Sequence, residues 1–290
     1  MMNNHFFHDL WFYKSLVWTR FLKSLGILFT IDRLLECFDI FSCLKTHGPY
    51  LGLVIIILSL LWGIWFLFKT KQKITLEINK RTKLSILYGD LFHEQGMRVI
   101  PVNEYFDTHV GDGIIASNTI HGKFLSRYST RVPELRQKID AQLQRHEQLP
   151  ITRQRNMVDN LPQVPYPLGT TIRIEMDGQY YLLVAVARFN KAGHVDVTDS
   201  EYMMIMQRLF NSIEQLNDGK PVYLPLIGSG QAGFGYTNMQ LLNLMVQAAG
   251  LCDRLSVIQG VNVVLYDCVS MRKSINLSVI KSLFDNWKIL

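Results

Sequence analysis

Residues 224–236 read LPLIGSGQAGFGY, and this stretch decides how the rest of the chain is read. Val222–Ile227 is a short apolar run of the length and composition of a buried strand. Glycines at 228, 230, 233 and 235 then let the main chain wrap closely around a small partner. Thr237 with Gln240 three residues later has the pattern of a capping box, so a helix is expected from about 238, with Gly250 as its stop. A glycine-rich turn between a strand and a helix N-terminus gathers free N–H groups at the positive end of the helix dipole, a setting suited to phosphate. A plain tight turn can carry the same letters. The loop is neither G-x-x-x-x-G-K-[ST] nor a dinucleotide fingerprint, because no lysine follows it and it lies late in the chain.

Outward from the loop, strands and helices alternate. Leu84–Tyr88, Arg98–Val102, Thr170–Met176, Gln179–Ala187 and Val261–Tyr266 are apolar or alternating runs, and Asp177-Gly178 between two of them signals a two-residue hairpin. Tyr202, Met206, Leu209, Ile213 and Leu216 repeat at helical spacing and stop near Asn217–Gly219. Residues 122–148 favour helix, with Arg127, Arg131, Arg136 and Arg145 on a solvated face. Pro150, Pro162, Pro165 and Pro167 mark a connection over about 149–168, and Ile275–Trp287 reads as a last helix. This order predicts an α/β domain over 83–290: a mixed sheet in three layers with flanking helices.

The N-terminal quarter is different in kind. Leu51 to Phe68 holds no charge over 18 residues, and residues 50–68 are expected to span a membrane. The flank at 69–82 is read as a basic juxtamembrane linker: Lys69, Lys71, Lys73, Lys80 and Arg81, with Lys83 beyond it, stand against Glu77 alone, which marks the cytoplasmic side. Residues 10–31 are a second probable span, although they carry Lys14, Arg20 and Lys23; an interfacial helix with a basic face is the alternative. Asp32, Glu36 and Asp39 between the two would make an amphipathic turn on the far surface. Residues 1–68 are therefore expected to form a membrane region with both termini cytoplasmic.

The net charge of +6 hints at nucleic acid, but much of the excess sits beside the apolar run, where anionic lipid accounts for it. Cys37, Cys43, Cys252 and Cys268 form no C-x-x-C pair and have no histidine at metal spacing, so no metal site is expected.

Three elements together resemble macro domains, which hold ADP-ribose. LPLIGSGQAGFGY is similar to their diphosphate-binding loop. Leu87-Tyr88-Gly89-Asp90-Leu91 resembles the early G-D-[IL] element, whose aspartate accepts the adenine amino group. Val99-Ile100-Pro101-Val102-Asn103 resembles the next strand, which ends in an asparagine near the distal ribose. Placed behind two spans, the chain is similar to the transmembrane–macro effectors of type II Thoeris, a bacterial anti-phage system. In that family a TIR-domain partner makes a histidine conjugate of ADP-ribose, and the macro protein senses it.

The resemblance implies a binding site of Asp90 and Leu91 at adenine, Asn103 at the distal ribose, and Gly228, Ser229, Gly230, Gln231, Gly233 and Phe234 around the diphosphate and ribose. Asp107, Thr108, Asp112 and His121 would contact the histidyl part of a conjugate or simply cap the next helix, and Tyr266 and Asp267 are further adenine-side candidates. The residue types suit those roles: a carboxylate for an amine donor, a helix end for diphosphate, an aromatic face for a sugar. Local structural roles compete, with Asp90 as an N-cap, Asn103 as a turn residue and Phe234 as core.

One departure matters. Macro-domain hydrolases carry N-A-A-N followed by a run of glycines, whereas Asn103 is followed by EYFDTHVGDG, with bulky Tyr105 and Phe106. This points to a pocket that binds an ADP-ribose-derived signal without turning it over, needing no cofactor. The implied protein is an inner-membrane effector with a cytoplasmic macro domain that forms homo-oligomers and disrupts the lipid bilayer in abortive infection. A membrane-anchored ADP-ribosyl hydrolase is the alternative.

Overall fold

The computed structural model describes residues 14–37, 48–68, 71–151, 161–189, 195–230 and 234–284, and the chain divides into two units.

The larger unit comprises residues 73–275 and 284–290. Its sheet has seven strands: β1 (Lys73–Glu77), β2 (Lys83–Gly89), β3 (Met97–Asn103), β4 (Thr171–Met176), β5 (Gln179–Ala187), β6 (Val222–Pro225) and β7 (Val261–Tyr266). They lie in the order β1-β2-β7-β6-β3-β5-β4. The five central strands run parallel, and β1 and β4 pair antiparallel at the edges. The central strands read as nearly continuous apolar runs because both of their faces are buried. The β4–β5 hairpin turns at Asp177 (φ 53°) and Gly178 (φ 71°), two left-handed residues whose twist matches that of the strands.

Two helices, α3 (Ile120–Arg127) and α4 (Val132–Leu143), lie over β3 and β4. They close a cluster of Phe124, Leu135 and Ile139 with Ile100, Val102, Tyr181 and Leu183 of the sheet. The Tyr128 and Tyr181 hydroxyls meet there at 2.9 Å, so neither buried O–H is left without a partner. Helix α5 (Asp199–Leu216), started by a Thr198/Glu201 capping box, packs on β4 and β5 and on α6 (Asn238–Gly250). A short helix, α7 (Val269–Ser274), follows β7.

Three sequence expectations are corrected. Part of the stretch read as linker, 69–82, is edge strand β1: Ile74 and Leu76 point inward and are buried, while Lys73 and Glu77 face out, and the charge excess masked that alternation. The strand after Val222 stops at Pro225, which has no N–H to continue the ladder. The single last helix is two, α7 and α8 (Leu277–Phe284), broken where Ile275 is extended (φ −130°, ψ 129°).

The smaller unit comprises residues 1–72 and 276–283. Helices α1 (Lys14–Cys37) and α2 (Gly48–Phe68) pack side by side. Gly63 allows the approach, since a Cβ there would stand 3.2 Å from the Val17 carbonyl, and the Ser24 hydroxyl reaches the Ser59 carbonyl at 3.3 Å. The Arg20 guanidinium donates to the Ser282 hydroxyl of α8.

These helices fall where spans were expected, yet among the described residues no helix is long and apolar enough to cross a membrane. Helix α1 carries Lys14, Arg20, Lys23, Asp32 and Arg33, each costly in a hydrocarbon layer. The predicted N-terminal membrane region is therefore unsupported. The expected amphipathic turn begins as a continuation of α1 through Cys37, and Asp39 lies outside the described residues.

Candidate functional site

Parallel strands carry their C-terminal ends to one edge of a sheet, and ligands of open α/β folds collect there. In this chain the ends of β2, β3, β5, β6 and β7 border a cleft of about 1190 Å³, above the usual range for small-molecule pockets and roomy enough for a dinucleotide.

The glycine loop forms one wall. The Tyr202 hydroxyl donates to the Ile227 carbonyl at 3.0 Å and fixes where the chain leaves β6. Gly228 is left-handed (φ 92°), and a Cβ on it would stand 2.5 Å from the Phe234 ring, so glycine is required twice over. Phe234 in turn rests edge-on against Tyr202, centroids 5.0 Å apart, and lines the cleft. Ser229 lines it too while donating to the Leu226 carbonyl at 2.7 Å. Among the described residues nothing stands within 4 Å of a Cβ added at Gly230. The capping box closes as expected, with Gln240 N donating to Thr237 Oγ1 and Thr237 N to Gln240 Oε1. Gln231 and Gly233 lie outside the described residues.

At the end of β2, Asp90 borders the cleft and caps the short 3₁₀ turn Leu91–His93, its Oδ1 accepting from Phe92 N at 2.9 Å. The capping and cleft-facing roles coincide in this residue. Leu91 also lines the cleft, with its side chain part of the core.

Opposite lies the segment after β3. Asn103 faces the cleft with its amide partly committed: Oδ1 accepts from the N–H groups of Tyr105 and Asp107, both at 3.2 Å, and Nδ2 donates to Asp107 Oδ2 at 2.7 Å. Asp107 and Thr108, both expected to touch ligand, are not part of the cleft wall. The cause is local: fully buried Phe106 takes a left-handed conformation (φ 52°), and the turn folds the Asp107 carboxylate inward to Asn103. Exposed Asp112 is also absent from the wall and pairs with half-buried His109 at 2.7 Å.

Of that polar group only His121 reaches the cleft. It is 8% exposed, and burial pushes its pKa down to about 4 against the opposing pull of the Asp107 carboxylate and main chain. The ring is therefore neutral at pH 7. Tyr266 and Lys123 stand together at the β7 side, with the Lys123 ammonium 4.6 Å from the ring centre. Lys123, Cys268, Ser270 and Met271 line the cleft without having been singled out from sequence, because they sit in ordinary helical positions. The Cys268 thiol is held below its ordinary pKa by a hydrogen bond from the Ser270 hydroxyl. Among the described residues, no group of three His, Cys, Asp or Glu could hold a metal ion.

Residues 84–266 match the family model described as Thoeris protein ThsA, Macro domain. A Thoeris protein ThsA of Bacillus amyloliquefaciens (strain Y2) is 30% identical over 234 residues, covering 76% of this chain and 75% of that relative. The chain belongs to the Thoeris ThsA macro-domain family. Similar solved structures include an Oceanobacillus iheyensis macrodomain mutant with ADPR (TM-score 0.49, 14% identity, covering 74% of this chain and 100% of that one). The macrodomain of Mycobacterium tuberculosis DarG is also similar (TM-score 0.38, 16% identity, covering 63% and 98%). Likeness to the Bacillus relative reaches beyond residues 84–266, since it covers 76% of the chain.

Proposed function

We propose that this ThsA-family chain is the sensing effector of an anti-phage defence system, and that its cleft binds an ADP-ribose-derived nucleotide supplied by a TIR-domain partner. The observation that carries the reading is convergence: Asp90, Asn103 and the Gly228–Gly230 loop come from three distant parts of the chain and border one cleft. The diphosphate would lie on the loop N–H groups at the start of α6, with Gln231 and Gly233 continuing the wrap and Phe234 against the ribose. Asp90 and Leu91 would take adenine, where the free carboxylate oxygen can accept from an exocyclic amine. Asn103 would stand at the distal ribose. Asp107 acts through Asn103 rather than on ligand. No cofactor is required, and binding without turnover fits the absence of the glycine run after Asn103.

The smaller unit would be the damaging part. Trp18, Leu22, Phe29, Leu53, Ile57, Leu61, Trp62 and Trp65 are each at least 46% exposed, an apolar surface that lipid or further copies of the chain would cover. Cell inner membrane localisation, a cytoplasmic macro domain, homo-oligomer formation and bilayer disruption belong to this proposal, with no role for nucleic acid. Chain continuity supplies a route for the signal: Cys268, Ser270 and Met271 line the cleft, α7 ends at Ser274, and residues 276–283 already group with α1 and α2.

Dye-loaded liposomes carrying the full-length protein provide the test. Leakage should begin on addition of ADP-ribose or its histidine conjugate and be absent for Gly230→Glu, with the ligand recovered intact. Leakage that ignores ligand would sink the sensing role. Steady conversion of ligand that Asn103→Ala abolishes would identify a hydrolase instead.

A further inference from the structure

His121 is buried and lines the cleft, alone among the four polar residues expected near the far end of the ligand. Its helix begins against the loop before it: the Thr119 hydroxyl donates to the Ala116 carbonyl at 2.7 Å and accepts from Gly122 N at 3.0 Å. A Cβ on Gly122 would stand 2.2 Å from that same carbonyl, so the start of α3 can lie this close only because residue 122 is glycine. These contacts fix the start of the helix that carries His121.

His121 lines the cleft with Asp107 as its nearest charged neighbour, and a buried neutral imidazole carries one N–H and one lone-pair acceptor. Asp107 is joined to Asn103 at 2.7 Å. The sequence of contacts Asn103, Asp107, His121 therefore places the imidazole at the Asn103 end of the cleft, away from the adenine side at Asp90.

We propose that His121 is a specificity residue of this site, accepting a hydrogen bond from an O–H or N–H donor carried on the distal ribose or on the group joined to it. The proposal rests on the ADP-ribose reading of the cleft. A buried acceptor of this kind rejects a ligand that offers it no donor, because the acceptor is then left unpaired. ADP ends before that point and ADP-ribose does not, so the pair of nucleotides isolates the contact.

The test is calorimetric titration of the full-length chain with ADP and with ADP-ribose, comparing wild type, His121→Phe and His121→Gln. The readout is the ratio of the two dissociation constants. His121→Phe should reduce the preference for ADP-ribose over ADP by roughly tenfold, and His121→Gln, which keeps an acceptor, should recover most of it. A wild-type ratio in His121→Phe would overturn the proposal while leaving the cleft reading intact. Equal weakening of both nucleotides in both variants would also overturn it, showing a residue that merely supports the wall. A wild-type chain that binds neither nucleotide would instead remove the cleft reading on which the proposal stands.

Discussion

The two walls of the cleft are built by opposite means. The wall after β6 offers main chain: a left-handed glycine, room for a Cβ at Gly230 among the described residues, and one ring, Phe234, seated on Tyr202. The wall after β3 offers side chains already engaged, Asn103 with Asp107 and Thr119 with the Ala116 and Gly122 main chain, and buried His121 beside them. A main-chain wall suits a ligand part that is the same in every nucleotide, the diphosphate. A side-chain wall suits the part that differs. On the proposed reading, recognition and discrimination would be divided between the two sides.

The largest effect should come from placing charge on the main-chain wall. A Cβ at 230 meets no atom of the described residues within 4 Å and needs no left-handed backbone, so Gly230→Glu should fold normally and act by repelling diphosphate and filling its space. A loss of affinity beyond roughly a hundredfold is expected, read by calorimetry; an intact affinity would break the division of roles. Asp90→Ala should follow, weakening adenine nucleotides about ten- to a hundredfold through a lost charge-assisted hydrogen bond. Its effect should be equal for ADP and ADP-ribose, since in the proposed pose Asp90 would meet the end they share.

The bonded wall should show itself in pH. His121 is neutral in the folded chain with a pKa of about 4, below its ordinary 6.5, so between those values the unfolded chain binds more protons. Stability is therefore unaffected above about pH 6.5 and falls as pH drops toward 4, by up to about 3 kcal/mol from this group. Denaturant titrations across that window should show the slope, and His121→Phe should flatten it. The same slope in both proteins would mean the ring is not buried neutral. The smallest effect belongs to Gly230→Ala: with no atom of the described residues within 4 Å of its Cβ, it should change affinity by less than about twofold, in contrast to Gly228→Ala, which must displace Phe234.

The same contrast explains what sequence could and could not convey. The main-chain wall was legible because its signals are local: four glycines, a capping box at Thr237 and Gln240, and an apolar strand all fall within about twenty residues. The Asp177-Gly178 hairpin and the Val261–Tyr266 strand were legible for the same reason, each fixed by its own residues. The bonded wall was not. Whether Asp107 meets ligand or turns inward depends on the left-handed turn at Phe106, a non-glycine residue with no sequence mark for that conformation. Lys123 faces Tyr266 only because α3 and the end of β7 meet at the cleft, 143 positions apart in the chain. The edge strand β1 was hidden by its charges: lysines dominated the reading of 69–82, although Ile74 and Leu76 alternate inward. In the smaller unit, an apolar run indicated helix correctly, but helix is as far as α2 bears that expectation out, because a bilayer leaves no mark on the chain's own geometry.

The most direct measurement is a crystal structure of the full-length chain with ADP-ribose. The diphosphate should lie within hydrogen-bond distance of the Gly228–Gly230 N–H groups, with the adenine amino group at the Asp90 carboxylate and the distal ribose between Asn103 and His121. A ligand bound with adenine at His121, or held elsewhere than this cleft, would contradict the assignment of both walls.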